Sequence, residues 1–432
     1  MKVTLKSIIQ KRRPDVFIVN EGNAITFDEF YNDVAKLNIP VSSDIVALRC
    51  SSNYKSIVAL FALWAQNNTV CLLPKNETES ETQRHKDNIP FKKIYSPSSF
   101  EKGDLKNVDI NFLDKDTRLL VLSSGTSGQS KAMAHGMSQL YWSALGSINF
   151  YNFSKSDRYP LTLPFHHIGG LMIAIRCLFS GAILEIHPKR SVAIHSQTAT
   201  ILSLVPAQLY DKILNKDRPC SLKAILLGGA RCSEKILNMA HSLDYPISLT
   251  YGSSETCSQV YASKVNEKAK GPTQLLDFRA ATIKNGLLCV KGATLMNYYY
   301  TKMEKVFPFD DQGFYHTNDL AFWKDHLEIK RKDSMMISGG ENIPTSSWEQ
   351  RLLLHEDIID TKAIVCNDDR MGQVGYLFYH SRTPIDEKEL KNYLSTFLSS
   401  YKLPKRIIPF PKLENKIKHT QMQLETYAQQ LK

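Results

Sequence analysis

Between Leu122 and Ala132 runs Ser123-Ser124-Gly125-Thr126-Ser127-Gly128-Gln129-Ser130-Lys131, nine residues with four serines, one threonine, two glycines and a lysine. Glycines let a backbone approach a phosphate closely. Backbone N–H groups and hydroxyls can then donate to its oxygens, and a lysine adds charge. The spacing is not that of the Walker loop, which needs Gly-Lys-Ser/Thr, because Lys131 lies three residues after Gly128 and precedes Ala132. By composition alone the segment fits a phosphate cradle and a plain connection equally well. A second segment, Thr250-Tyr251-Gly252-Ser253-Ser254-Glu255-Thr256, offers a carboxylate directly after a Gly/Ser turn. Such a carboxylate can join phosphate oxygens around Mg²⁺, or simply carry the charge favoured at a helix N-terminus.

The elements around these segments are readable from their patterns. Arg118–Leu122, Ala199–Val205, Leu222–Leu227 and Ile247–Thr250 are short apolar runs bounded by polar or turn residues, which predicts buried strands. Met137–Tyr151, Pro206–Leu214 and Ser233–Ser242 are long and amphipathic enough for helices. Pro206 suits a first helical turn and Ser233 an N-cap. This alternation predicts α/β layers with a largely parallel sheet. Near Lys330-Arg331-Lys332-Asp333 the character changes. Beyond it the pattern predicts helix 347–354, strands 361–365 and 374–379, helix 386–399, then Lys402-Leu403-Pro404 and a last helix. We expect domains 1–332 and 333–432, the second a small α+β unit of about 100 residues.

Composition limits the function. Hydrophobic residues make up 43% and charged residues 22%, too apolar for disorder, and 432 residues exceed a single small core. The net charge of +11 suits polyanionic partners, but Lys11-Arg12-Arg13, Arg331-Lys332 and Lys405-Arg406 are short clusters, so a nucleic-acid partner is not expected. No two of the eight cysteines lie closer than twelve residues, which excludes CxxC metal or redox pairs. The segment MKVTLKSIIQKRRPD lacks the apolar stretch of a signal peptide. The longest apolar run, Ile57–Ala65, is far short of a membrane span, and Arg176 interrupts the stretch 168–183. The expectation is a cytoplasmic protein with reduced thiols and no membrane insertion; a homodimer is left open.

Taken whole, the serine- and glycine-rich string resembles the phosphate-binding loop of the adenylate-forming superfamily, which includes acyl-CoA synthetases, firefly luciferase and peptide-synthetase adenylation domains. Ser130 and Ala132 replace the usual Pro and Gly. Further segments are similar in the same order. The resemblance implies that Ser123, Ser124, Gly125, Thr126, Ser127, Gly128 and Lys131 hold ATP or AMP, together with Gly229, Tyr251, Gly252 and Ser254. It assigns Glu255 to Mg²⁺ and gives Thr126 and Glu255 catalytic roles. His316-Thr317-Asn318-Asp319 resembles the family's Thr-Gly-Asp segment, which implies that Asp319 binds ribose. Asn318 replaces Gly there, a change suited to a left-handed residue. Arg331 matches a ribose- or phosphate-contacting arginine and Asp333 the hinge. Gly339 and Gly340 match the segment beside the coenzyme A tunnel. In Asn415-Lys416-Ile417-Lys418, Lys416 is the candidate adenylation lysine and Lys418 its competitor.

The resemblance implies a large multi-layer α/β domain with mixed sheets, a small mobile C-terminal α+β domain, and an acid–CoA ligase using ATP, Mg²⁺ and coenzyme A. In the acyl pocket it implies His166, His167, Gly228 and Ser253. Pro164–Leu171 has no acidic residue, which argues against an amino-acid substrate, and His166 or Arg176 could pair with an anionic one. The run 245–260, ending Glu255-Thr256-Cys257-Ser258-Gln259-Val260, is similar to that of o-succinylbenzoate–CoA ligases of menaquinone biosynthesis. Another aryl- or fatty-acyl-CoA ligase, or a non-catalytic nucleotide-binding relative, remains an alternative at this point.

Overall fold

The structure, a computed structural model, describes residues 3–38, 45–77, 79–99, 101–103, 108–123, 131–229, 232, 234–268, 270–331, 335–338, 341–368, 372–398, 400–411 and 421–430. A seven-stranded sheet is ordered Glu304–Val306, Tyr298–Thr301, Lys131–Gly136, Thr117–Ser123, Thr69–Pro74, Ile45–Cys50, Lys93–Tyr95. The last four strands run parallel and the first three add antiparallel. The apolar run Ile57–Ala65 falls in helix Tyr54–Ala65, capped by the Asn53 side chain on the Ser56 N–H at 2.9 Å. From Ser56 to Trp64 every residue of that helix is buried, which is why its apolar residues run continuously instead of forming one stripe.

A second sheet begins as parallel strands Ile201–Leu204, Ala224–Leu227 and Ile247–Ser253, then turns antiparallel through Ser258–Ala262 and Gln274–Leu275. Helices Met137–Tyr151 and Ile168–Ser180 pack against each other, in a core shared with the first sheet. A four-stranded sheet (Arg158–Pro160, Ile183–Ile186, Val16–Asn20, Asn23–Thr26) closes the N-terminal side.

The predicted helices Met137–Tyr151 and Pro206–Leu214 match residue for residue, and the third is Glu234–Ser242, with the expected cap Ser233 outside the described residues. The expectation of a largely parallel sheet holds only for part of the chain. Arg279–Lys284, Leu287–Gly292, Tyr315–Trp323 and Leu327–Arg331 form an antiparallel sheet. Its first hairpin turns on Asn285-Gly286, with φ of 52° and 76°, the left-handed pair that a two-residue hairpin demands.

The C-terminal part has its own core. Strands Met335–Ser338 and Glu341–Pro344, then Ile358–Asp368, Gly372–Ser381 and Arg406–Pro409, form one sheet. Helices Ser346–Leu352, Glu387–Ser395 and Gln421–Gln430 accompany it. Trp348 is fully buried there; a Cβ on Gly375 would lie 2.2 Å from its ring. Arg382 donates to the Tyr210 hydroxyl and Lys235 to the Glu356 carbonyl, joining this part to the second sheet's helices. Among the eight thiols, Cys220 is exposed and Cys232 partly so; the others are buried, and none is in a disulfide. Among the described residues no helix is long and apolar enough to cross a membrane.

Candidate active site

Strand Ile247–Ser253 pairs in parallel with Ala224–Leu227 at its start and antiparallel with Ser258–Ala262 at its end. The return requires a tight turn. Gly252 permits it, since a Cβ there would lie 1.9 Å from the Ser258 carbonyl oxygen. Cys257 and Ser258 adopt φ of 53° and 90°, and the Thr256 hydroxyl accepts the Ser253 N–H at 3.0 Å. The turn presents Glu255, whose carbonyl accepts the Met296 N–H at 2.8 Å.

Two tyrosines meet this carboxylate. The Tyr299 hydroxyl donates to Glu255 Oε1 at 2.7 Å and lies 2.9 Å from the Tyr315 hydroxyl. Burial, then the neighbouring Glu255 charge, pushes both phenols well above their ordinary range, so both stay protonated. Lys131 Nζ stands 5.5 Å from the centre of the Tyr299 ring. Lys131 is also the register partner of Ser123. The two therefore bracket positions 124–130, so Ser124, Gly125, Thr126, Ser127 and Gly128 lie outside the described residues.

Asp319 comes from strand Tyr315–Trp323. Its Oδ2 accepts the Tyr251 hydroxyl at 2.7 Å, and its N–H reaches the Thr317 hydroxyl at 3.2 Å. Burial and then Asp319 hold the Tyr251 phenol far above its usual range. Arg331 is the register partner of Asp319 on the adjacent strand. Asn318 is an ordinary strand residue without positive φ, so the expected left-handed role does not apply.

Gly228 and Gly229 follow strand Ala224–Leu227. A Cβ on Gly228 would lie 2.4 Å from the Thr250 hydroxyl, and Gly229 has φ 76°. Ser254 offers its carbonyl to His135 Nε2 at 2.9 Å. His135 is fully buried, and desolvation pushes it down to about 4, so the ring is neutral and donates through Nε2. The sequence reading missed His135, Tyr299 and Tyr315.

His167 occupies the N-cap position of helix Ile168–Ser180 without a side-chain capping bond, and its ring centre lies 4.3 Å from that of His166. Desolvation, then His167 and Arg190, pushes His166 down to about 3; desolvation and Arg190 lower His167. Both rings are therefore neutral near pH 7 in the chain by itself. Arg176 differs. It is 2% exposed, donates from Nη2 to Ser258 Oγ (3.0 Å) and Gln259 Oε1 (3.1 Å), and leaves Nε without a partner. Among the described residues it makes no ion pair. The remaining expected site residues, Asp333, Gly339, Gly340 and Lys416, with its competitor Lys418, lie outside the described residues.

For Mg²⁺, the donor chemistry fits a single-carboxylate site. Glu255 has an oxygen beyond the one Tyr299 binds and no ion pair among the described residues. One or two carboxylates plus phosphate oxygens suffice for this ion. No group of three or more His, Cys, Asp or Glu that could hold a metal unaided occurs among the described residues.

Comparison with known proteins gives the family and the fold. Residues 56–300 match the AMP-binding enzyme family. The 2-succinylbenzoate–CoA ligase of Staphylococcus epidermidis is 26% identical, over 94% of this chain and 93% of its own. Among solved structures, a variant of E. coli MenE with bound OSB-AMS superposes with a TM-score of 0.88 at 22% identity, covering 99% of this chain and 98% of that one. The o-succinylbenzoate CoA synthetase (MenE) of Bacillus subtilis, in complex with the acyl-adenylate OSB-AMP, gives 0.82 at 21% identity, with 99% and 98% covered. The family match spans more than half of the chain and contains the strand, turn and carboxylate described above, so the chain belongs to the AMP-binding enzymes.

Proposed function

We propose that the chain is an ATP- and Mg²⁺-dependent acid–CoA ligase acting through an acyl-adenylate, with o-succinylbenzoate as its acid. The observation that carries the ligase reading is the convergence of Glu255 and Asp319, each hydrogen-bonded by a tyrosine hydroxyl, beside Lys131. In the first step a carboxylate oxygen of the acid attacks the α-phosphorus of ATP. The new O–P bond forms as the bond to the β-phosphate oxygen breaks, and pyrophosphate leaves. Asp319 would receive the ribose hydroxyls, with Arg331 on the neighbouring strand. Ser123–Lys131 would surround the phosphates. Glu255 would hold Mg²⁺, which when bound neutralises phosphate charge. Lys416 would stabilise the charge on the reacting oxygens. In the second step the thiol of coenzyme A attacks the acyl carbon, the thioester forms and AMP departs. In this reading the unit 333–432 turns about Asp333 between the steps, exchanging Lys416 for Gly339 and Gly340.

Charge supports the choice of acid. Arg176 is a buried cation held only by neutral groups among the described residues, an arrangement that costs several kcal/mol unless an anion joins it. An acid with a second carboxylate supplies that anion, as o-succinylbenzoate does and a simple fatty acid does not. The run of Ser258 and Gln259 places both side chains on Arg176.

The test is AMP formation from ATP and coenzyme A with a panel of acids. The dicarboxylate should give the highest kcat/KM, and Arg176→Met should erase that preference while leaving a monocarboxylate substrate unaffected. A fatty acid preferred over o-succinylbenzoate would overturn the substrate. ATP binding without pyrophosphate release for any acid would overturn the ligase. Lys416→Ala should abolish acid-dependent pyrophosphate release yet spare thioester formation from preformed adenylate; loss of neither removes Lys416 from the mechanism.

A further inference from the structure

We propose that Tyr315 and Tyr299 form a directed hydrogen-bond relay that positions Glu255 for the metal–nucleotide complex while leaving its charge intact. The direction follows from proton counting. An ionised carboxylate only accepts, so the single Tyr299 proton goes to Glu255 at 2.7 Å. The Tyr299 oxygen is then the acceptor for Tyr315 at 2.9 Å. Donation from Tyr315 polarises Tyr299 and strengthens its bond to the carboxylate.

Three separate parts of the fold supply the relay. Glu255 comes from the turn closing the second sheet, Tyr299 from the seven-stranded sheet and Tyr315 from the antiparallel sheet. Alternation singles out Tyr299 within its strand. Tyr298 and Tyr300 pack together at 5.2 Å and take Lys305 over their rings, while Tyr299 turns the opposite way, to Glu255. Neutral phenols fix one carboxylate oxygen without cancelling the negative charge that attracts a divalent ion. A lysine in their place would fix it and cancel the charge. Lys131 instead stands over the Tyr299 ring, linking the relay to the residue that ends the glycine-rich segment. Both tyrosines are therefore positioning residues. They act through Glu255, and the inference rests on the reading of Glu255 as the metal carboxylate.

The experiment compares ATP binding by calorimetry with Mg²⁺ and with EDTA, for wild type, Tyr299→Phe, Tyr315→Phe, the double variant and Glu255→Gln. Manganese–ATP affinity by electron paramagnetic resonance is a second readout. Tyr299→Phe should weaken metal-dependent ATP binding roughly tenfold, as expected for a hydrogen bond to a charged group, with binding in EDTA unchanged. Tyr315→Phe should lose less, roughly threefold, and the double variant should lose clearly less than the product of the two single losses, since Tyr315 acts mainly through Tyr299. Equal weakening with and without metal, or additive losses in the double variant, overturns the relay. If Tyr299→Phe keeps full metal dependence while Glu255→Gln loses it, the relay alone fails. If Glu255→Gln also keeps it, the metal reading of Glu255 fails with it.

Discussion

Two regions of the molecule withdraw carboxylates from water, and they are held in opposite ways. On the N-terminal sheet, Glu185 and Asp157 are 2% and 1% exposed and saturated with donors and cations. Glu185 takes Arg158 at 2.5 Å, Thr198 at 2.6 Å and Ser196 at 2.7 Å; Asp157 takes Lys223 at 2.7 Å and Thr200 at 2.9 Å. Burial alone would raise the Glu185 carboxyl, but His187, Thr198, Ser196 and Arg158 together outweigh it and hold it at about 2. Glu255 is only half-buried, takes the Tyr299 hydroxyl and makes no ion pair among the described residues. A carboxylate whose charge is already matched holds a fold together. One steadied by a neutral donor keeps its charge available for something that arrives.

The sharpest way to break this contrast is to neutralise one carboxylate in each region. Glu255→Gln should cut adenylation at least about a hundredfold with the unfolding midpoint nearly unchanged, measured as pyrophosphate release and thermal melting. Glu185→Gln should do the reverse. It strands Arg158, itself partly solvated, and should lower stability by about 3 kcal/mol in denaturant titration while folded enzyme keeps its turnover. If Glu255→Gln unfolds the protein and Glu185→Gln inactivates it, the division is wrong.

The difference between these regions was only partly legible in the residues. Glu255, Asp319 and the glycine-rich string stand in contiguous segments, so each could be read locally. Tyr299 lies 44 positions from Glu255, and its neighbours Tyr298 and Tyr300 are the same residue type. A triplet of tyrosines shows no phase until strand register decides which one faces the carboxylate. His135 was hidden similarly, 119 residues from the carbonyl it supports. Helices were clear because amphipathic runs set their own limits. Asn285-Gly286 announces only the first hairpin of the antiparallel sheet, and strand Arg406–Pro409 is too short to stand out beside Lys402-Leu403-Pro404.

Acid titration sharpens the comparison further. His135 sits at about 4 when folded against an ordinary value of 6.5, so the unfolded chain takes up its proton first. The His135 share of stability should therefore be lost as pH drops from about 6.5 towards 4, at most on the order of 3 kcal/mol. Glu185 has the opposite history: its contribution is complete above its ordinary 4.5 and is lost as pH falls through about 2. His166 and His167, also lowered, add to the fall in unfolding free energy below about pH 6.5, so His135→Gln should make that fall shallower without removing it and should leave the Glu185 contribution unchanged. The smallest effect is expected at the exposed pair Arg13–Asp28, 3.4 Å apart with side chains 65% and 44% exposed, where Arg13→Ala should change stability by less than about 0.5 kcal/mol.

The distribution of thiols gives the folded chain a chemical reporter. Cys220 is exposed and Cys232 partly so, whereas Cys257 is fully enclosed, and desolvation pushes its thiol up to about 12. The reactive form is the thiolate, so an alkylating reagent near neutral pH should consume Cys220 quickly and reach Cys257 only through transient opening. Cys257 lies two residues after Glu255 in the same strained turn. Its slow labelling rate therefore measures how often that turn comes apart, and the slowing caused by bound nucleotide would count the openings that the ligand prevents.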